Sequence, residues 1–166
     1  MDFKGKVAII GSRRPSEKQH AKAYEYAKLV SEEGYIVTTG GAYGIDHAAM
    51  LGCIPGSLEV YLPWASFNAH IIPDHATRIV YNPSQHKHWL QSVNDYHPNV
   101  AALSASDKKL HARNYGIVYG TSLVAAYPKS IHSMGGTGQG VRIAQALGIQ
   151  VVLYDALGEK AVLSTQ

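Results

Sequence analysis

A mainly parallel β-sheet covered by helices on both faces, an α/β fold, is what the sequence predicts, on three observations. Short apolar runs that end near glycine alternate with segments of helical period along most of the chain, and parallel strands need such crossovers between them. The 166 residues are 46% hydrophobic, enough for one well-buried domain and too few for two ordinary ones, so residues 1–166 are expected to form a single domain. Three loops rich in glycine or arginine, GSRRPS from Gly11, TTGGAYGID from Thr38 and SMGGTGQG from Ser133, each follow an expected strand.

Taken in order, residues 7–10 (VAII) read as a strand ending at Gly11. Ser16 and Gln19 have the spacing of a capping box, in which hydroxyl and amide satisfy each other's backbone N–H groups, and Gly34 terminates the helix that Ser16 opens. Ala23, Ala27 and Val30 supply the buried face of that helix. A second strand over 35–39, a tight turn over 40–44, a short helix over 45–51 and a third strand over 58–62 follow. Residues 63–84 carry three prolines and no sustained period, which predicts an irregular excursion with a short strand at 78–81. Beyond it, Ser84 is expected to cap a helix through Trp89, Leu90 and Val93. Another helix is expected over 110–119, then a strand over 123–127, the glycine loop, a helix over 139–147 and a last strand over 150–154. Because crossovers between parallel strands are right-handed, this order builds a Rossmann-like three-layer sandwich. Ligands in such sheets bind at the carboxyl ends of the strands, where the strand order reverses, so the three loops are expected to meet at one edge.

Composition narrows the function classes. The net charge is +3 with nine histidines, a mildly basic balance compatible with nucleotides or nucleic acid and diagnostic of neither. Cys53 is the single cysteine, so an intramolecular disulfide and a cysteine-based zinc site are excluded, which fits a reducing cytoplasm. The apolar run at 7–10 is too short for a signal-peptide core or a membrane span. A soluble cytoplasmic protein is expected, with no membrane contact and no cofactor.

A phosphate cradle needs backbone N–H groups aimed at one point, glycine where the chain turns unusually, and a helix amino terminus behind it. Gly135, Gly136, Gly138 and Gly140, with Thr137 and Gln139 between them, meet that description. No Lys-Ser/Thr pair follows and the spacing is not the dinucleotide fingerprint, so the loop predicts an anion site without a specific nucleotide; the alternative is a tight turn that lets a helix pack on its strand. Gly40, Gly41 and Gly44 make a second turn open to the same two readings. Arg13 and Arg14 directly follow the first strand, where a guanidinium can clamp a phosphate or simply be solvated.

Other residue groups argue less. His70, Asp74, His75, His86 and His88 match no common ligand spacing, and no metal site is expected. Trp64, Phe67, Trp89 and Tyr96 are either a base-stacking lid or ordinary buried aromatics. His111, two residues before Arg113, reads as structural or as an anion contact, and Cys53 as core. No serine-histidine-acid or cysteine-histidine order marks a nucleophile.

The motifs GSRRPS at 11–16, GGAYGIDHAA at 40–49, LHARNYGIVYG at 110–120 and GTGQGVRIAQALGIQVVLY at 136–154 resemble, in that order, the DNA-processing protein A (DprA/Smf) family. That family lies within a superfamily of Rossmann-like nucleotide-binding proteins that also holds the LOG phosphoribohydrolases. The resemblance implies a domain that binds single-stranded DNA in a basic pocket, forms a homodimer and loads a recombinase. Gly11, Ser12 and Arg13 match its first motif, Gly44, Ile45 and Asp46 its glycine-isoleucine-aspartate motif, and Arg113 and Asn114 its arginine-asparagine pair. Tyr43 and Tyr115 stand where the family usually carries arginines, which removes two phosphate-binding charges and offers rings that can stack on bases or pack on the fold. No appended winged-helix domain is expected, which weighs against recombinase loading.

The LOG comparison offers a catalytic alternative. Its loop places a threonine and a glutamate where this chain has Gln139 and Arg142, and cleavage through an oxocarbenium-like state needs a carboxylate at the sugar. Asp46 is the only acid assignable to the same edge, where it serves either as that acid or as a helix-start acceptor. The expectation is therefore a phosphate-binding module for single-stranded DNA or a nucleotide, in DNA recombination or processing. The alternatives are a nucleotide phosphoribohydrolase and a nucleotide sensor without turnover.

Overall fold

A computed structural model of the protein describes residues 2–161. Six strands, β1 (Gly5–Gly11), β2 (Tyr35–Thr39), β3 (Leu58–Leu62), β4 (Thr77–Val80), β5 (Leu123–Tyr127) and β6 (Gln150–Leu153), form one sheet in the order β4-β3-β2-β1-β5-β6. Every pairing is parallel. The order runs outward in one direction from β1 to β4 and in the other from β5 to β6. The reversal falls between β1 and β5, whose register pairs Gly11 with Tyr127.

Alternation along β1 explains the three layers, because successive side chains of a strand point to opposite faces. Val7 and Ile9 join Ala23, Ala27 and Val30 of α1 (Glu17–Glu32) and Ile45, Ala48 and Ala49 of α2 (Ile45–Gly52) on one face. Ala8 and Ile10 pack on the other, against Ile117 and Val118 of α4 (Ala105–Val118) and Val141, Ile143 and Ala144 of α5 (Gly135–Ala146). A shorter helix, α3 (Lys87–Tyr96), lies on α4 and contributes Val93 to a third cluster with Tyr81 and Ala112. Cys53 is buried in the first cluster. The Rossmann-like sandwich is thus the observed fold.

Local signals account for the helix ends. Ser16 caps α1, its hydroxyl accepting from the Gln19 N–H at 3.1 Å while the Gln19 side chain accepts from the Ser16 N–H at 3.1 Å. Three helix starts differ from the sequence expectation. Helix α3 begins at Lys87 and not at Ser84, because the Ser84 hydroxyl donates instead to the Asn82 carboxamide oxygen at 2.7 Å. Helix α4 begins five residues earlier than expected, since Ser104 and Asp107 form a second capping box. Helix α5 begins at Gly135, so the expected glycine loop is the first turns of a helix. Close packing overrides the poor helix propensity of glycine there: a Cβ on Gly140 would lie 2.6 Å from the Ile10 Cδ1 of β1. Among the described residues no helix is long and apolar enough to cross a membrane.

Candidate functional site

The carboxyl ends of β1 and β5 open onto a cleft of about 510 Å³, at the reversal of strand order where ligands of such sheets bind. Its floor is Gly11, Ser12 and Arg13, directly after β1. One wall is α4, through Asp107, Leu110, His111 and Asn114, and the far end is the start of α5, through Met134, Gly135, Gly136 and Thr137. Asp46 and Ala42 close the side toward α2, and Lys129 and Ser133 enter from the segment between β5 and α5.

The floor is fixed by backbone. The Ser12 N–H donates to the Tyr127 carbonyl at 2.9 Å, and the Ser12 carbonyl accepts from the Ile45 N–H at 3.0 Å, so one residue joins β5 to the first turn of α2. This closeness demands glycines. A Cβ on Gly11 would sit 2.5 Å from the Tyr127 carbonyl oxygen and 2.6 Å from the Ile45 Cγ1. Gly44 has φ of 81°, and a Cβ there would run into the Ser12 carbonyl. Arg13 and Arg14 are both exposed, but only Arg13 lines the cleft. The Arg14 N–H donates to the Ser12 hydroxyl at 3.0 Å, turning the chain after the strand.

The start of α5 has the character of an anion site. Met134 caps it without a side-chain hydrogen bond, which leaves the first N–H groups of the helix for another acceptor. Gly135 and Gly136 are exposed, and among the described residues nothing stands within 4 Å of where a Cβ on either would be. Gly138 and Gln139 lie away from the cleft. Gln139 is fully buried, its carboxamide accepting from the Arg142 Nη2 at 2.9 Å and donating to the Ser92 carbonyl at 3.4 Å, while the Arg142 Nε donates to the Tyr96 carbonyl at 2.9 Å. Those two side chains bind α5 to α3.

Arg113 and Asp46 are both buried. The Arg113 Nη1 donates to the Gly40 carbonyl and, at 3.2 Å, to the Tyr61 carbonyl. Its Nε donates to the Asn114 carboxamide oxygen at 3.1 Å. Its guanidinium carbon lies 5.4 Å from the centre of the Phe67 ring, so the irregular segment after β3 covers it. Burial lowers the Arg113 pKa to about 10, with the Asp46 charge opposing the shift. Burial likewise raises the Asp46 pKa from its ordinary value, opposed by Arg113 and by the Ala42 N–H that donates to its Oδ2 at 3.1 Å. Arg113 is therefore largely occupied in joining α4 to the ends of β2 and β3. The second glycine turn is structural by the same geometry: Gly40 supplies the carbonyl for Arg113, and Gly41, with φ of 72°, backs onto Val60 and Leu62.

The cleft thus gathers Gly11, Ser12, Arg13, Asp46, Arg113, Asn114, Gly135, Gly136 and Thr137 of the residues singled out in the sequence, and leaves Arg14, Gly40, Gly41, Gly44, Gly138 and Gln139 outside its lining. It adds Asp107 and Lys129, which the sequence reading left out of the site, together with Ser133, where the third loop starts, and His111, read as structural or as an anion contact. Spacing held the signal for Asp107, His111 and Lys129. Positions 107, 111 and 114 share one face of α4 once its start is placed at Ser104, and Lys129 follows β5 as Arg13 follows β1. His111 sits edge-on to His97 with ring centres 4.6 Å apart, and burial, then the neighbouring His97, lowers its pKa to about 4. The two tyrosines at the family's arginine positions point elsewhere. The Tyr43 hydroxyl pairs with the His70 Nε2 at 2.8 Å on the surface, and Tyr115 stacks on Tyr119.

A Rossmann-like sheet whose strand order reverses beside a helix amino terminus and exposed cations has the geometry that accommodates an anion. The comparisons add a family. The sequence pattern of the DNA recombination-mediator protein A family matches residues 2–162, and the chain belongs to that family. Its fold is similar to that of DNA processing protein A from Helicobacter pylori, a structure described for its unique single-stranded DNA binding mode, with a TM-score of 0.62 at 21% identity, covering 92% of this chain and 66% of that one. It is also similar to the molybdenum cofactor carrier protein of Chlamydomonas reinhardtii (TM-score 0.60, 22% identity, 91% and 76% covered) and to the molybdenum cofactor binding protein of Rippkaea orientalis (0.60, 21%, 93% and 78%). No match is found among curated protein sequences.

Proposed function

We propose that the protein binds single-stranded DNA by its phosphate groups in the cleft between β1 and β5, as a DprA-like module in DNA recombination or processing. The observation that carries the reading is the uncapped start of α5, with open space above Gly135 and Gly136, lining the same cleft as Arg13 and Lys129. Backbone N–H groups and the helix dipole favour an anion there, and the two exposed cations add to it. Family membership and the DNA-binding relative support the choice of a strand as the ligand. In this reading the chain acts as one Rossmann-like domain in the cytoplasm and pairs as a homodimer.

The phosphoribohydrolase alternative loses support from the side chains. At the positions of the threonine and glutamate stand Gln139 and Arg142, both engaged in bonds that hold α3 to α5. Asp46 is buried and accepts from a backbone N–H.

Binding of fluorescent oligonucleotides of increasing length at two salt concentrations, with nucleoside monophosphates as competitors and free base monitored, tests the reading. Affinity should grow with length and fall with salt, because each phosphate contact on a single strand contributes roughly −0.7 to the log–log salt slope. Saturation by a mononucleotide with little salt dependence, or release of free base, overturns it.

A further inference from the structure

Around α4 from the main cleft lies a second cavity of about 320 Å³, lined by Gln85, His86, His88, Trp89, Tyr115 and Tyr119. Its walls are stacked rings. His86 lies flat on Trp89, with centres 3.9 Å apart and planes 10° from parallel, and Tyr81 extends the stack at 5.9 Å from Trp89. Tyr115 and Tyr119, one helical turn apart, are stacked at 5.4 Å and 17°. The backbone makes the slot possible at Gly116, where a Cβ would lie 2.5 Å from the Trp89 ring, so glycine there lets the indole lie against α4.

Two properties select the occupant. Tyr119 leaves 63% of its surface in solvent, a large exposed ring at the mouth of a cavity, while two imidazoles, two phenol hydroxyls and one carboxamide supply donors and acceptors at the ring edges. Among the described residues the lining holds no carboxylate, lysine or arginine, so it offers stacking and edge hydrogen bonds and, its two imidazoles apart, no group that could pair with a phosphate by charge. Helix α4 also connects the two cavities, since Asn114 lines the main cleft and the next residue, Tyr115, lines this one. An aliphatic partner segment would use neither the flat walls nor the polar edges, whereas a nucleobase uses both.

We propose that the slot between Trp89 and Tyr119 is a nucleobase-binding site, which stacks an unpaired base of a strand whose phosphates lie in the main cleft. The source of the base rests on the strand-binding reading above; the affinity for the ring does not. Trp89 reports directly on occupancy, because the chain has two tryptophans and Trp64→Phe leaves Trp89 as the only indole. In the Trp64→Phe protein, a single-stranded deoxyadenosine oligonucleotide should quench Trp89 emission saturably. Adenosine, which lacks phosphate, should do the same at higher concentration. Adding Tyr119→Ala, a change at an exposed ring, should weaken both by roughly 5- to 150-fold, the range that loss of one base–aromatic stack produces. Adding Arg13→Ala should weaken the oligonucleotide and spare adenosine.

The two readings fail separately. Trp89 emission that stays constant while anisotropy shows the oligonucleotide bound overturns the slot and leaves the main cleft standing. If no oligonucleotide binds at all, adenosine still decides: saturable quenching sensitive to Tyr119→Ala supports the slot, and its absence overturns it. Emission that changes with protein concentration alone, together with a dimer broken by Tyr119→Ala, makes the slot a contact between copies of this chain and overturns it too.

Discussion

Asp46 and Arg113 come from helices on opposite faces of the sheet and close on the same glycine: a Cβ on Gly40 would lie 2.8 Å from the Asp46 Oδ2 and 2.7 Å from the Arg113 Nη1. The end of β2 is therefore where the two helical layers are joined, by a cation, an acid and a bare backbone carbonyl. Replacing Gly40 with alanine should cost about 1–3 kcal/mol by overpacking this contact. Urea denaturation measures it, and a midpoint equal to wild type would mean that the wall yields freely.

Arg113→Ala should lose about 3 kcal/mol, because it leaves the Gly40 and Tyr61 carbonyls without their donor and Asp46 facing no cation. Arg113→Lys should recover little, since a single ammonium cannot reproduce a fork that serves Gly40, Tyr61 and Asn114 together. Full rescue by lysine in the same denaturation assay would reduce the residue's role to its charge.

Arg13→Ala and Lys129→Ala should behave oppositely to Arg113→Ala. Both side chains are exposed, so unfolding midpoints should stay within about 0.5 kcal/mol of wild type. Oligonucleotide affinity should fall, and the salt slope should shrink by about one phosphate contact for each variant. An unchanged slope in either variant removes that cation from the strand path.

Arg142→Ala should loosen α3 without emptying the cleft. It deprives the Tyr96 carbonyl and the buried Gln139 carboxamide of their donors, at about 1–3 kcal/mol. Amide exchange should quicken first in α3. Uniform acceleration across α1 and α2 would show that α3 does not open separately.

His111 gives stability a defined pH dependence. Its folded pKa of about 4 lies below the ordinary 6.5, so the unfolded chain takes up the proton first. Its contribution is complete above pH 6.5, declines as the pH falls toward 4 and levels off below that. His111→Asn should flatten that part of a stability–pH curve; an unaltered slope would assign the acid sensitivity to other groups.

The fold was legible because the strands of a buried parallel sheet are short apolar runs and the helices between them show their period. Ser16 and Gln19 even marked the first residue of a helix. What misled was glycine. Four of them between 135 and 140 look like a loop by propensity, yet Gly140 is where α5 presses on Ile10, a tertiary demand that no local rule contains. The site was legible in outline: Gly11, Ser12, Arg13, Gly135 and Gly136 meet at one edge as strand order requires. Its wall was not, since placing Asp107 and His111 depends on the start of α4, and the occupation of Arg113 by two carbonyls depends on contacts 52 and 73 residues away in sequence.

The position of β1 determines how the cleft ages under stress. It is hydrogen-bonded on both sides, to β2 and to β5, and the loop it delivers is pinned to Tyr127 and Ile45. Amide protons of such an element exchange with solvent only when the whole molecule opens, whereas β4 and β6, at the rims, can peel away first. A partly frayed molecule would consequently keep Ser12 and Arg13 in their native places, and proteolytic trimming from either rim of the sheet would reach the floor of the cleft last.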